Sequence, residues 1–299
     1  MKGTLYNLGK YILIPFPRTK IFLKQLYRIL RSRYLKVCHQ KGAFMICNGA
    51  EIFCDFNNES YSWYDGDSES LNYELEVFTS LFTIRTPNVI LDVGAHWGFY
   101  SAFLNNTSFS NKIAKIISIE ADPFNCSILS KTLKKINHIH VEQINAAISD
   151  KDGFIHLYLG DGKCKQTYSS GNTIPVGQIK AISLDSLVEN FLDNEEVLTH
   201  VKMDIDGYEP AFFAGGETAL KKFSPIIMME FWAKGLKVSG FDLEAYWNML
   251  QNNYYVKEAC FSNRRLISLD HKDLPYLVEK TMEGITNLVL IPKVYLKRG

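Results

Sequence analysis

From residue 89 onward the chain alternates short apolar blocks with longer amphipathic stretches. The blocks fall at Val89–Val93, Ile116–Ile119, Val141–Ile144, Val197–Met203 and Ile226–Met229. Blocks this short, separated mostly by helix-length segments, predict parallel strands covered by helices on both faces. Two more strands are expected at Phe154–Leu159 and Ala181–Leu184, bracketing a polar loop from Gly160 to Gln178. The C-terminal blocks "YYVKEA", "RRLISL" and "TNLVLIP" close the sheet with an antiparallel edge. The expectation is an α/β chain with a mostly parallel seven-stranded sheet, helices on both faces and an antiparallel edge strand.

Upstream the pattern changes. Arg18–Val37 reads as a helix whose apolar positions are mixed with seven basic residues and no acid, which forces a cationic face. "FMICNGAEIFCDF" predicts a hairpin turning at Asn48-Gly49, a pair that tolerates positive φ. Ser68 is placed to cap a helix over Glu69–Phe82, and Pro87 stops whatever precedes the first parallel strand. The division expected is a mainly helical N-terminal extension over 1–60, a basic helix plus the hairpin, and one catalytic domain over 61–299.

Composition narrows the function. Among 299 residues, 46% are hydrophobic, and Lys plus Arg number 33 against 32 Asp plus Glu, so no global field favours nucleic acid. The six cysteines are scattered with no paired spacing, which argues against a zinc site or disulfide framework and suits a reducing compartment. The apolar run near the start is interrupted by Pro15 and Pro17 and is too short to span a bilayer. A cytoplasmic protein is expected. The cationic face of residues 18–37 is read as a solvated face, a peripheral contact with an anionic membrane, or a grip on a phosphate-bearing substrate.

Ligands of open parallel sheets sit beyond the carboxyl ends of the strands. There, "VILDVGAHWGFY" passes from strand through a turn with Gly94, Ala95, His96 and Gly98 into a helix near Phe99. A dinucleotide fingerprint needs G-x-G-x-x-G; here there is no third glycine, and Asp92 precedes the first. A carboxylate there disfavours a pyrophosphate and suits the cationic S-adenosylmethionine (SAM). Glu120, at the tip of the second strand, is placed to accept ribose hydroxyls, a role that does not by itself separate SAM from NAD. Ala121, Asp122 and Phe124 continue that turn, and Asn145 and Ala146 leave the third strand where an adenine edge would lie.

The segments "ILDVGAHWGFYS", "IEADPFNCSIL", "NAAISDKDG", "ISLDSL" and "VKMDIDGYEPAFFAGGE" together resemble the FkbM-type family of class I SAM-dependent methyltransferases, over about Ser62 to Phe231. The last segment is similar to the family pattern K-x-D-x-x-G-x-E. The resemblance implies a Rossmann-like class I methyltransferase fold and O-methylation, frequently of sugar or polyketide hydroxyls, without identifying the acceptor.

Asp204, Asp206 and Glu209 gather where the fourth parallel strand gives way to a helix. They are read as substrate contacts or a general base, as ligands of a divalent cation, or as helix-capping acids, with Lys202 as a partner. Glu230, near the end of the fifth strand, is either an acid-base group among Met229, Phe231 and Trp232 or a carboxylate tied to Lys234. By resemblance to the family's G-x-x-E segment, Glu69 reaches the site; otherwise it is a solvated helical acid. His96 either donates to a cofactor carboxylate or lines the turn. Trp63, Tyr64 and Trp97 form a platform for a sugar ring or belong to the core.

The expected activity is transfer of a methyl group from SAM to a hydroxyl of a glycan, glycolipid or related small molecule, the acceptor being lipid-linked in one version. A nicotinamide-dependent oxidoreductase and a non-catalytic methyltransferase-like scaffold are the alternatives.

Overall fold

A computed structural model describes residues 42–64, 68–160, 163–165 and 174–298. The basic segment 18–37 and most of the polar loop lie outside these described residues. Two strands, β1 (Ala43–Cys47) and β2 (Ala50–Cys54), form the expected hairpin, with Asn48 and Gly49 both at positive φ. The hairpin packs on two helices of the main body. Phe53 N donates to Thr132 Oγ1 at 3.1 Å, and the Lys131 ammonium lies 4.4 Å from the Phe53 ring centre.

Helix α1 (Glu69–Ser80) begins where Ser68 accepts a hydrogen bond from Leu71 N, as the sequence suggested. The helix continues as a short 3-10 turn over Leu81–Thr83. Then come β3 (Val89–Val93), α2 (Phe99–Asn105), β4 (Lys115–Glu120), α3 (Pro123–Leu133) and β5 (His140–Asn145). After an intervening small sheet the chain returns through α4 (Leu184–Phe191) to β10 (Leu198–Met203), α5 (Glu209–Ala214), α6 (Glu217–Phe223) and β11 (Ile226–Phe231). It ends with α7 (Ala233–Val238), α8 (Leu243–Asn253), β12 (Tyr254–Cys260), β13 (Arg265–Leu269), α9 (Leu274–Thr281) and β14 (Thr286–Pro292).

The main sheet has the order β13-β12-β14-β11-β10-β3-β4-β5. Strands β11, β10, β3, β4 and β5 are parallel, and β14, β12 and β13 are antiparallel. The sheet is therefore one strand wider than the seven expected: all three C-terminal blocks join the five parallel strands, and "RRLISL" forms the edge as a hairpin with β12. From β3 the chain moves outward to β4 and β5, then comes back to β10 on the other side. That reversal between β3 and β10 opens a crevice at their carboxyl ends.

A second sheet, β6-β9-β7-β8, grows from the end of β5. It comprises β6 (Ala147–Ser149), β7 (Gly153–Gly160), β8 (Lys163–Lys165) and β9 (Ile174–Ser183). The expected strands at 154–159 and 181–184 lie here, outside the main sheet.

Side chains alternate across the parallel strands, as strand geometry requires. Leu91, Ile117, Val201 and Ile227 face one core with Phe212 and Trp247. Ile90, Ile116 and Ile226 face the other, with Phe78, Trp97 and the hairpin's Ile52. His200 shares that second core, 4.9 Å from the Phe82 ring centre, and burial lowers its pKa from the usual range to about 4. Among the described residues no helix is long and apolar enough to cross a membrane.

Candidate active site

A cleft of about 430 Å³ opens at the carboxyl ends of β3, β4 and β10, on the predicted edge. Its first wall is the turn after β3. A β-carbon on Gly94 would stand 1.9 Å from the Asp204 carbonyl oxygen, so only glycine lets the exits of β3 and β10 close on each other. Gly94 N and Ala95 N both donate to Ile119 O at 3.0 Å, tying the turn to β4. Gly98 plays a different part from the one expected. It does not line the cleft, and a β-carbon there would meet the Leu129 side chain at 2.7 Å, so it allows α2 to sit against α3.

Glu120 and Asp92 are the buried acids of this wall, 7% and 3% exposed. Glu120 Oε2 accepts from His96 N at 2.8 Å and Oε1 from Asp122 N at 2.9 Å, so each oxygen keeps a lone pair for a ligand. Asp92 lies directly across from Lys202 on the neighbouring strand, and its Oδ2 has no hydrogen-bond partner. Burial raises the pKa of both carboxyls to about 7; Lys202 pulls Asp92 down and Asp204 pushes it up. A cationic ligand would restore the charge that burial disfavours.

Ala121, Asp122 and Ala146 also line the cleft, and Ile148 and Leu157 of the second sheet add an apolar patch. The motif reading did not include those two, since their place depends on how β6 and β7 leave the main sheet. Asn145 is a correction. Its side chain turns back to donate to Glu120 O at 2.8 Å and Ala121 O at 3.2 Å, so it braces the strand tip and does not line the cleft. Asp122 Oδ1 caps α3 by accepting from Phe124 N at 2.9 Å.

Lys202, 4% exposed, is the positive centre of the opposite wall. Its Nζ lies 3.5 Å from Glu74 Oε1 and 5.2 Å from the Tyr100 ring centre, and Tyr100 OH donates to the same Glu74 oxygen. Burial alone would pull the ammonium down. Glu74, Asp204, Glu230 and Asp92 together outweigh burial and hold its pKa above the usual value. Glu74 is thus the helix α1 acid that reaches the cleft. Glu69, the residue expected there, stands exposed at the helix start and is not part of the lining.

Asp204 and Asp206 both line the cleft, and Asp206 adopts positive φ of 53° in the loop after β10. Carboxyl oxygens of Asp204, Asp206 and Glu230 lie within 4.8 Å of one another, close enough to share a cation. Glu230 is buried in β11 one residue before its end. Glu209 departs from its expected role. It is 2% exposed, does not line the cleft, and its Oε1 accepts from Ile205 N at 3.4 Å and Gly207 N at 3.3 Å. It closes the loop that presents Asp204 and Asp206. Burial lifts its pKa to about 7, with the two aspartates adding to the lift.

The aromatic residues separate into wall and core. Trp97 is fully buried, donates from Nε1 to Asn125 Oδ1 at 3.0 Å, and does not touch the cleft, so it is no sugar platform. Trp63, 51% exposed, does line the cleft, with its ring centre 5.1 Å from that of His96. His96, at φ 48°, also stacks on Trp97 at 4.9 Å, and its Nδ1 is 2.7 Å from Tyr64 OH. The turn histidine is therefore fixed by ring contacts with two indoles and by its backbone N–H, which is given to Glu120.

No curated protein matches the chain. Among solved structures, it is similar to a methyltransferase FkbM from Methylobacillus flagellatus at 18% identity and TM-score 0.42, over 68% of this chain and 43% of that one. The chain thus spans less than half of that protein's length. It is also similar to a methyltransferase from Streptococcus mutans in complex with SAH, at 11% identity and TM-score 0.38, over 73% and 97% of the two chains. TrmK of M. capricolum, in complex with S-adenosylhomocysteine, is 12% identical at TM-score 0.38 over 74% and 67%. The architecture is the α/β fold of class I methyltransferases, and residues 92–255, more than half of the sequence, match the methyltransferase FkbM domain. The chain belongs to the FkbM methyltransferase family.

Proposed function

We propose that the protein is a SAM-dependent O-methyltransferase acting on a hydroxyl of a glycan, glycolipid or related small molecule. The observation that carries the reading is the pair of buried acids, Asp92 and Glu120, facing one cleft at the strand reversal of a methyltransferase-family chain. The residues fit SAM. Glu120 has a spare lone pair on each oxygen for ribose hydroxyls, the orphaned Asp92 Oδ2 suits a cationic partner, and Ala146, Ile148 and Leu157 give an apolar bed for a purine. SAM supplies a methyl group on a positively charged sulfur.

The chain's own part is orientation and proton handling. A sugar hydroxyl is a weak nucleophile, so a carboxylate that accepts its proton assists the transfer, typically by about 10²–10⁴-fold. Asp204 is the candidate, since it is exposed to the cleft beside the Lys202 ammonium. Asp206 and Glu230 stand next to it, and Glu209 fixes the loop that carries the two aspartates. Asp204, Asp206 and Glu230 are also where a divalent cation would orient the acceptor oxygen, and loss of transfer on chelation tests that version. Trp63 offers an exposed ring face on which a pyranose could lie.

Four described cysteines, Cys47, Cys54, Cys126 and Cys260, form no disulfide, in keeping with a cytoplasmic location. Contact with a lipid-linked acceptor or a membrane surface through residues 18–37 is part of the proposal, on the strength of their charge alone.

The test is transfer of labelled methyl from SAM to acceptors fractionated from cell extract, followed by identification of the labelled product. Asp204→Asn is expected to bind SAM within about threefold of wild type and to transfer at least ~10²-fold more slowly. Unchanged turnover would remove Asp204 as the base.

A further inference from the structure

The cleft is electrically one-sided. Among the described residues lining it are six acids, Glu74, Asp92, Glu120, Asp122, Asp204 and Asp206, against a single ammonium, Lys202. That lysine is committed: it is buried within the sheet wall, paired with Glu74 and stacked against Tyr100. Asp122 is spent on capping α3, and Glu120 and Asp92 belong to the donor side. What faces an acceptor is Asp204 and Asp206, together with the hydroxyl and amide side chains of Asn58, Ser60, Ser68 and Ser70 and the face of Trp63. Those groups hydrogen-bond sugar hydroxyls, and none of them carries positive charge. A narrow cleft with low-dielectric walls concentrates such a field to several kT.

We propose that this cleft selects its acceptor by charge, admitting neutral or amine-bearing hydroxylated rings and rejecting those with a phosphate or carboxylate beside the reacting hydroxyl, with Asp204 and Asp206 setting the selection. The proposal rests on the methyltransferase reading of the cleft and narrows its substrate class. SAM carries one net positive charge, which offsets only part of the excess. An anionic ring entering beside Asp204 meets like charge, and among the described lining residues the single ammonium, Lys202, is already paired with Glu74. Charge repulsion of this kind costs an anionic competitor far more than it helps a neutral substrate, which is how specificity is obtained without tight binding.

The field can be measured without knowing the acceptor. Trp63 is the exposed indole of the cleft, so its emission, isolated as the difference between the full chain and Trp63→Phe, reports the local potential. At low ionic strength, caesium is expected to quench it at least about threefold better than iodide, relative to free N-acetyltryptophanamide. In Asp204→Asn/Asp206→Asn the ratio should fall to within about 1.5-fold of the free indole, and 1 M salt should do the same to the wild type. Equal quenching by both ions in the wild type overturns the proposal, and so does a ratio that the double variant leaves unchanged.

A second arm offers labelled SAM and an array of sugars, each in neutral, amine-bearing and phosphate-bearing form. Label on the phosphate-bearing form at a rate within about threefold of the neutral one overturns the proposal; at least tenfold less label supports it. Where no sugar is labelled, the quenching ratio decides. Binding of S-adenosylhomocysteine, measured separately, distinguishes the two failures. Saturable binding with no charge preference refutes the selection alone, whereas absence of binding refutes the methyltransferase reading.

Discussion

Replacing Lys202 with Met keeps the aliphatic stem and removes the one ammonium buried among Glu74, Asp92, Asp204 and Glu230. Taking one partner out of a buried ion pair typically costs about 3–5 kcal/mol, because the remaining charge is left uncompensated. For a chain of this size each kcal/mol moves Tm by about 2 °C, so Lys202→Met should melt roughly 6–10 °C below wild type at pH 7. The effect has a pH signature. Asp92 already titrates near 7 in the folded protein, with Lys202 restraining it, so loss of Lys202 lifts it further. A carboxyl whose folded pKa is raised contributes stability that is present below the unfolded value and is lost as pH rises through the folded one. Wild type and variant should therefore run in parallel below about pH 7, then separate by up to about 1.4 kcal/mol per pH unit until the variant's carboxyl is fully ionised. Urea unfolding at pH 6 and pH 8.5 reads the difference, with Lys202→Arg as the charge-preserving control. A variant that melts within 2 °C of wild type, or whose deficit shrinks as pH rises, would refute the reasoning.

Three further outcomes concern uncharged aromatic and histidine side chains. His200 is buried neutral with its pKa lowered to about 4, so it contributes stability above its unfolded pKa of 6.5 that is lost as pH falls through 4. Relative to His200→Leu, wild type should lose roughly 3 kcal/mol between pH 7 and pH 3.5, measured by urea unfolding. Trp97→Ala should cost roughly 3–5 kcal/mol of stability as a core cavity, whereas Trp63→Ala, at an exposed rim, should leave Tm within about 2 °C and raise the acceptor KM.

The donor side of the site was legible because it is local. A strand, a glycine turn and a helix lie consecutively in the chain, and alternation along β3 and β4 places Asp92 and Glu120 at their ends without reference to anything distant. The acceptor side is not local. Glu69 and Glu74 lie on one helix, and the partners that hold Glu74 in the wall, Lys202 of β10 and Tyr100 of α2, come from other elements of the fold. Trp63 and Trp97 flank the same turn; Asn125 on α3 draws one into the core and leaves the other on the rim. Asp204 and Asp206 do stand together after β10, beside Glu230, but nothing in their spacing says that Glu209 folds back onto its own loop's N–H groups. The second sheet escaped for a related reason. Its strands were recognisable, yet a three-residue β6 is too short to signal that the chain has left the main sheet.

The central claim is that the cleft between β3, β4 and β10 holds SAM through Glu120. Calorimetric titration of S-adenosylhomocysteine and of NAD into the full chain, repeated on Glu120→Gln, tests it most directly. The account predicts saturable one-site binding of S-adenosylhomocysteine, no saturable binding of NAD, and about 10–100-fold weaker affinity in Glu120→Gln, the worth of a charge-assisted hydrogen bond. Saturable NAD binding without binding of S-adenosylhomocysteine, or an affinity that Glu120→Gln leaves unchanged, would contradict it.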